Sequence, residues 1–333
     1  RNTEDQGLVT MPPPSPVNSL VAVVIPCYRE TSHILTVISG IDGIIDRIYV
    51  VDDACPDHTG KLVETESKDP RVTVLFHDTN QGVGGATITG YRAAIAGGAE
   101  IIVKMDGDGQ MDPSALAALI RPIQTGRADY TKGNRFYDIA GLTSMPKLRL
   151  IGNLMLSFAS KLSSGYWQIF DPTNGFTAIH GKVAAGLPFD KIDRKFFFES
   201  DMLFRLNIAR AVVVDVPMSA RYGEETSSLQ ISHVLLPFAW KHSVNAARRI
   251  AYGYFLRDFT AASIELVLGL VLVGFGSIFG AVEWLDGLRT GIPATAGTVI
   301  LAALPFLVGS QLLISFLNFD VGNQPDTPLH IDL

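Results

Sequence analysis

Asp106 and Asp108 stand two residues apart in KMDGDGQMDP (104–113), at the end of the apolar run IIVK. Side chains at i and i+2 of an extended segment point the same way, so both carboxylates can face one ligand. Gly107 and Gly109 let the backbone turn and let a bulky anion approach. Two carboxylates with the Gln110 amide form a hard oxygen set suited to Mg²⁺ or Mn²⁺, with coordination positions left for diphosphate oxygens. The bland alternative is a polar strand-to-helix turn. Its place after a fourth apolar run weighs against that.

The surrounding elements must bring other polar residues to the same edge. VAVVIP (21–26), the apolar part of 45–53, VTVLFH (72–77) and IIVKMD (101–106) read as strands. Helical segments follow around 31–42, 58–67 and 84–97, and another starts at Pro113 with Asp112 as its N-cap. Strands alternating with helices imply an α/β domain with a parallel sheet and ligands at the strands' carboxyl ends. Tyr28, Glu30, Asp52, Asp53 and Asn80 fall at those ends beside Asp106 and Asp108.

The 333 residues carry 27 Lys and Arg against 33 Asp and Glu, a net charge of −6, which argues against nucleic acid as a partner. Composition also excludes a disordered chain, collagen and a disulfide scaffold, and Cys27 and Cys55 read as reduced thiols. Charged residues are only 18% of the chain and mean hydropathy is +0.25, so some apolar sequence lies outside a soluble core. Thr290 to Phe319 holds no charge, nor does Leu266 to Val282, which its flanks extend to spanning length over 261–285. A short connector makes these an antiparallel transmembrane hairpin, with Gly269, Gly274, Gly276, Gly280 and Gly309 allowing close approach. The rival is a pair of buried core helices.

Residues 231–258 mix Lys241, Arg248, Arg249 and Arg257 with aromatic and aliphatic residues. This reads as amphipathic helices on the inner leaflet, with the basic side cytoplasmic; the rival is a helix packed on the preceding domain. Residues 1–19 read as a disordered, proline-rich tail without a signal peptide. The expected organisation is thus a tail (1–19), an α/β domain (20–230), juxtamembrane helices (231–258), a hairpin (259–319) and a C-terminal tail (320–333).

IPCYRE, VVDDACPDHT, NQGVGGA, DGDGQMDP and DPTNGF, in this order, resemble the inverting glycosyltransferases of family 2, which have the GT-A fold. Within that family DGDGQMDP is most similar to the polyprenyl-phosphate sugar synthases. The resemblance implies that Asp53 faces the nucleobase of a UDP- or GDP-linked sugar, with Pro26, Tyr28, Glu30 and Gly84 in the same pocket. It implies that Asp106, Asp108 and Gln110 hold the metal on the donor diphosphate. Arg135 in KGNRF, with Arg149 and Asn153 in KLRLIGN, falls where the family binds the acceptor phosphate. Asp171 heads the loop beside the transferred sugar, Glu199 and Asp201 are the catalytic acids of FESDM, and Arg221 and Ser227 resemble a loop closing over the diphosphate. No QxxRW segment is present and only two spans are read, which disfavours a processive polysaccharide synthase.

The implied protein is an inner-membrane enzyme with its catalytic domain in the cytoplasm. It would move a hexose to polyprenyl phosphate; the alternatives are a lipid-linked saccharide or glycolipid acceptor, or an inactive membrane scaffold or sensor. A homo-oligomer is compatible with this reading.

Overall fold

The computed structural model describes residues 19–137, 147–218 and 231–333. All but Ser19 of the expected tail (1–19) lies outside them, as do the Arg221 and Ser227 positions.

Four strands form where the apolar runs predict them, as β1 (Val21–Cys27), β2 (Arg47–Asp52), β3 (Val72–Phe76) and β4 (Ile101–Lys104). They alternate with α1 (Ile34–Ser39), α2 (Thr59–Glu66) and α3 (Val83–Ala96). Asp112 caps the turn Pro113–Ala115 by accepting from Ser114 N at 3.0 Å, and α4 (Leu116–Gln124) continues it. Every residue of β1 is buried because both faces of the sheet are covered. Val21, Val23 and Ile25 pack into one core with α1, α2 and α4, while Ala22 and Val24 pack into the other with α3.

The second half of the sheet departs from the parallel expectation. β5 (Tyr130–Asn134), β6 (Thr177–His180) and β7 (Val213–Pro217) complete seven strands in the order β3-β2-β1-β4-β6-β5-β7. β6 runs antiparallel to both β4 and β5. Its four-residue run TAIH was too short to read as a strand, and its direction has a consequence for the site. It begins at the carboxyl edge of the parallel strands, so the loop before it rims that edge.

Helices α5 (Lys147–Ser164), α6 (Gly181–Gly186) and α7 (Phe198–Ala209) pack around this half. α8 (Ile231–Ala251) follows and ends in a π-helical turn, Tyr252–Arg257. Then come α9 (Ala261–Thr290) and α10 (Ala296–Gly322), both long and apolar enough to cross a membrane. Only 11% of each apolar window is buried in the chain, which rules out the buried-core rival. A Cβ at Gly309 would sit 2.8 Å from Val273 N, and one at Gly276 would sit 2.6 Å from the Ala302 carbonyl, so backbone meets backbone at both. Gly274, also read as a position of close approach, meets nothing within 4 Å.

α8 packs on the preceding domain through one face and leaves apolar side chains exposed on the other. Its inner face packs on the α/β domain, where His242 Nδ1 meets Ser163 Oγ at 2.8 Å and Asn245 donates to Asp201 at 2.9 Å. Its outer face leaves Leu236 and Trp240 exposed.

Candidate active site

Register builds the site. Lys104 of β4 and Lys132 of β5 both pair with Thr177 of β6, so the two lysines lie in one row across three strands. Both are fully buried. Lys104 Nζ donates to Asp106 Oδ1 at 2.6 Å and to the Gly175 carbonyl at 3.4 Å, and meets Glu199 Oε1 at 3.2 Å. Lys132 Nζ donates to the neighbouring Asn174 carbonyl. The DPTNGF loop is therefore pinned to the sheet by two ammonium groups. Gly175 is required there, because a Cβ would collide with Lys104 Nζ and Asp106 Oδ2.

Burial opposes the charge on Lys104, but Asp106 and Glu199 outweigh it and hold the ammonium above the ordinary lysine range. At Lys132 burial wins over the pull of Glu199 and Asp171, bringing it down to about 8. Sequence reasoning missed both lysines. The signal was a lysine at the end of an otherwise apolar strand and another inside YTKGN.

Asp171 is buried, and its carboxylate receives Arg135 Nε at 2.8 Å and Nη2 at 3.1 Å, a bidentate pair. The Arg135 side chain remains about one-third exposed, at 34%. Arg149 and Asn153 fall on α5; their side chains lie outside the described ones.

Glu199 and Asp201, read as neighbouring catalytic acids, are separated by the helix that carries them. Two residues on α7 are about 200° apart. Glu199 points to Lys104, whereas Asp201 points away, accepting from Asn245 of α8 and, at 2.9 Å, from Asp193 N. Burial pushes the Asp201 carboxyl up against those hydrogen bonds. Asp201 joins α7 to α8 and takes no part in the Lys104 cluster.

Two residues expected on the donor side also have contacts within the chain. Asp53 does not present its carboxylate outward. It is 3% exposed, and its oxygens accept from His77 Nδ1 at 2.7 Å, Gln81 N at 2.8 Å and Gly82 N at 2.8 Å. It shapes the 77–82 loop, and His77, to which no role was given, is its partner. Gly84 is demanded by packing: a Cβ there would lie 2.5 Å from the Asp193 carbonyl and 2.8 Å from Phe198 Cβ. Pro26 is buried at the end of β1, while Tyr28 is exposed beside it. A Cβ on Gly107 would come 3.2 Å from Cys27 Sγ and 3.5 Å from Glu30 Cγ, which sets the acidic turn beside the Tyr28–Glu30 loop.

In that turn Asp108 Oδ1 accepts from Gln110 N at 3.0 Å, Gly109 takes φ +76°, and Gln110 is exposed. Among the described residues no group of three or more His, Cys, Asp and Glu side chains could enclose a metal. Two carboxylates at an open sheet edge fit a divalent cation that completes its shell with water and phosphate oxygens.

The glycosyl transferase family 2 profile matches residues 22–186. A UDP-N-acetylglucosamine–dolichyl-phosphate N-acetylglucosaminyltransferase of Methanococcus voltae is 31% identical over 221 residues, covering 62% of this chain and 88% of its own. The chain belongs to glycosyl transferase family 2. An undecaprenyl-phosphate mannosyltransferase of Micrococcus luteus is 30% identical over 203 residues, covering 60% of this chain and 82% of its own. Glucosyl-3-phosphoglycerate synthase of Mycobacterium tuberculosis, solved with Mn²⁺, UDP-glucose and phosphoglyceric acid, superposes with a TM-score of 0.53 at 18% identity. It covers 69% of this chain and 79% of its own, and the likeness shows a shared GT-A fold. This glycosyltransferase thus carries its acidic turn inside the family segment, and Glu199, α8 and the apolar hairpin beyond it.

Proposed function

We propose that this glycosyltransferase moves a hexose from a UDP- or GDP-linked sugar to polyprenyl phosphate at the cytoplasmic face of the membrane, inverting the anomeric centre. One observation carries the reading. Among the described residues, the three carboxylates read as catalytic acids outside the metal pair are all engaged, Glu199 by Lys104, Asp171 by Arg135, and Asp201 by Asn245 and Asp193 N. A sugar hydroxyl needs such a base. A phosphate monoester, with a second pKa of about 6, is already an anion and needs positioning instead.

Asp106 and Asp108, with Gln110, would hold a Mg²⁺ or Mn²⁺ ion, which when bound neutralises charge on the departing nucleoside diphosphate. Lys104 sets the direction of Asp106 and, with Lys132, fixes the loop from Asp171 to Phe176. Arg135, oriented by Asp171, presents guanidinium N–H groups of the kind that pair with phosphate oxygens. A phosphate oxygen of the acceptor bonds to the anomeric carbon while the bond from that carbon to the donor diphosphate breaks, so no proton must be removed. The acceptors named for the two relatives, dolichyl phosphate and undecaprenyl phosphate, support this choice.

The test is a panel of labelled sugar nucleotides offered to the protein in nanodiscs, with and without polyprenyl phosphate. Label entering the organic phase only with polyprenyl phosphate is expected, together with nucleoside diphosphate release. Label entering a glycolipid with equal efficiency in its absence would favour the hydroxyl-acceptor alternative.

A further inference from the structure

α5 is amphipathic in the wrong sense for a water-exposed helix. Leu154, Met155, Phe158 and Leu162 are 45%, 69%, 59% and 38% exposed. At 100° per residue these four lie within an arc of about 100°. The opposite face consists of Ser157, Ser160, Ser163 and Ser164, all 3% exposed or less. Ser157 Oγ donates to the Phe170 carbonyl at 2.8 Å, and Ser163 Oγ meets His242 of α8 at 2.8 Å. A helix on a wet surface buries its apolar stripe and exposes its polar one. Here hydrogen bonds hold the serines inward and leave a continuous apolar face outward, the kind of patch that marks an interface.

The position of this face indicates what covers it. Phe158 packs edge-on against Trp167 with ring centroids 6.2 Å apart. Trp167 Nε1 donates to Asp320 Oδ2 at 2.9 Å, and Asp320 sits where α10 returns to the catalytic domain. The centre of the stripe is therefore one side chain, Trp167, from the end of the apolar hairpin. We infer that α5 docks on the lipid bilayer through Leu154, Met155, Phe158 and Leu162, as a second membrane contact beside α8. The inference rests on the hairpin spanning the membrane. It places the rim of the sugar-transfer loop at headgroup depth, because Trp167 begins the segment that leads to Asp171.

The experiment uses the full chain in liposomes, with single cysteines at Met155, Phe158, Ile278 of α9 and Glu64 of α2, each labelled with an environment-sensitive fluorophore. Unsubstituted protein serves as the blank, since Cys27 and Cys55 are buried. Expected are blue-shifted emission and quenching by acyl-chain doxyl lipids at Met155→Cys, Phe158→Cys and Ile278→Cys, at least threefold above Glu64→Cys. Quenching at Ile278 with the two α5 sites matching Glu64 would overturn the α5 contact and leave the hairpin intact. No lipid quenching at Ile278 would overturn the membrane reading beneath it. Labels on α5 shielded from both doxyl lipid and aqueous iodide would show that a second copy covers the face, which also overturns the proposal.

Discussion

Replacing Asp108 by Asn removes one charge and one ligand from a sparse oxygen set. Transfer should fall by roughly 10²-fold or more with the melting temperature unchanged. Near-normal turnover, or full activity in excess EDTA, would exclude the metal role. Glu199→Gln asks a different question. A general base is worth about 10²–10⁴-fold, whereas a partner of Lys104 that leaves Asp106 in place should cost less than about tenfold. A larger loss at saturating donor would return Glu199 to the role of base. Arg135→Ala should weaken acceptor use severely and also strand Asp171, an uncompensated buried charge costing about 3–5 kcal/mol. Adding Asp171→Asn should restore thermal stability but not the KM for polyprenyl phosphate. Full recovery of both would make Arg135 a structural partner only.

The helices turn these single contacts into positions. At the α9–α10 seam, Gly276→Leu or Gly309→Leu forces side chains into touching backbones, an overpacking cost of about 1–3 kcal/mol, whereas Gly274→Leu should be neutral. Equal melting temperatures for all three would refute the seam. Between α5 and α8, His242 is buried, its Nε2 has no hydrogen-bond partner among the described residues, and burial brings its pKa from 6.5 to about 4. The unfolded chain then takes up this proton first as pH falls. Stability supplied by the neutral ring is present above about 6.5 and is lost on acidification toward 4. Thermal melts should show that acid limb, and His242→Gln should flatten it.

The molecule is tied together where its apolar hairpin rejoins the sheet. Asp320 accepts Arg249 Nη1 at 2.6 Å and Nη2 at 3.0 Å, Tyr254 Oη at 2.6 Å and Trp167 Nε1 at 2.9 Å, all in a buried setting. Beyond it the chain returns to Asp129, which accepts from Leu329 N at 2.8 Å and His330 N at 2.9 Å. Both ends of the hairpin therefore lie on the catalytic side. A tag after Leu333 should share the protease protection of the catalytic domain, and carbonate should not release the protein. Opposite protection would refute the topology. Asp320→Ala should cost about 3–5 kcal/mol, because Arg249 is left buried without its partner.

Four strands, the capped start at Pro113, the acidic turn and the apolar hairpin were legible in the chain. Each is a local pattern: a period, a cap, a spacing or an uncharged length. Cooperation among distant residues was not legible. Nothing in TAIH announces an antiparallel strand, yet its direction lines up Lys104 and Lys132 beneath the Asp171 loop. Nothing in FESDM tells its acids apart, but 200° of helix rotation sends one to the site and the other to α8. Asp53 and Gly84 are held by loop hydrogen bonds and close packing that nothing in their motifs announces. Residue types and their spacing carried the class of chemistry because a metal and a diphosphate demand particular groups. Which carboxylate stays available was decided only in the folded chain, where a buried charge takes whatever partner the sheet register brings within reach.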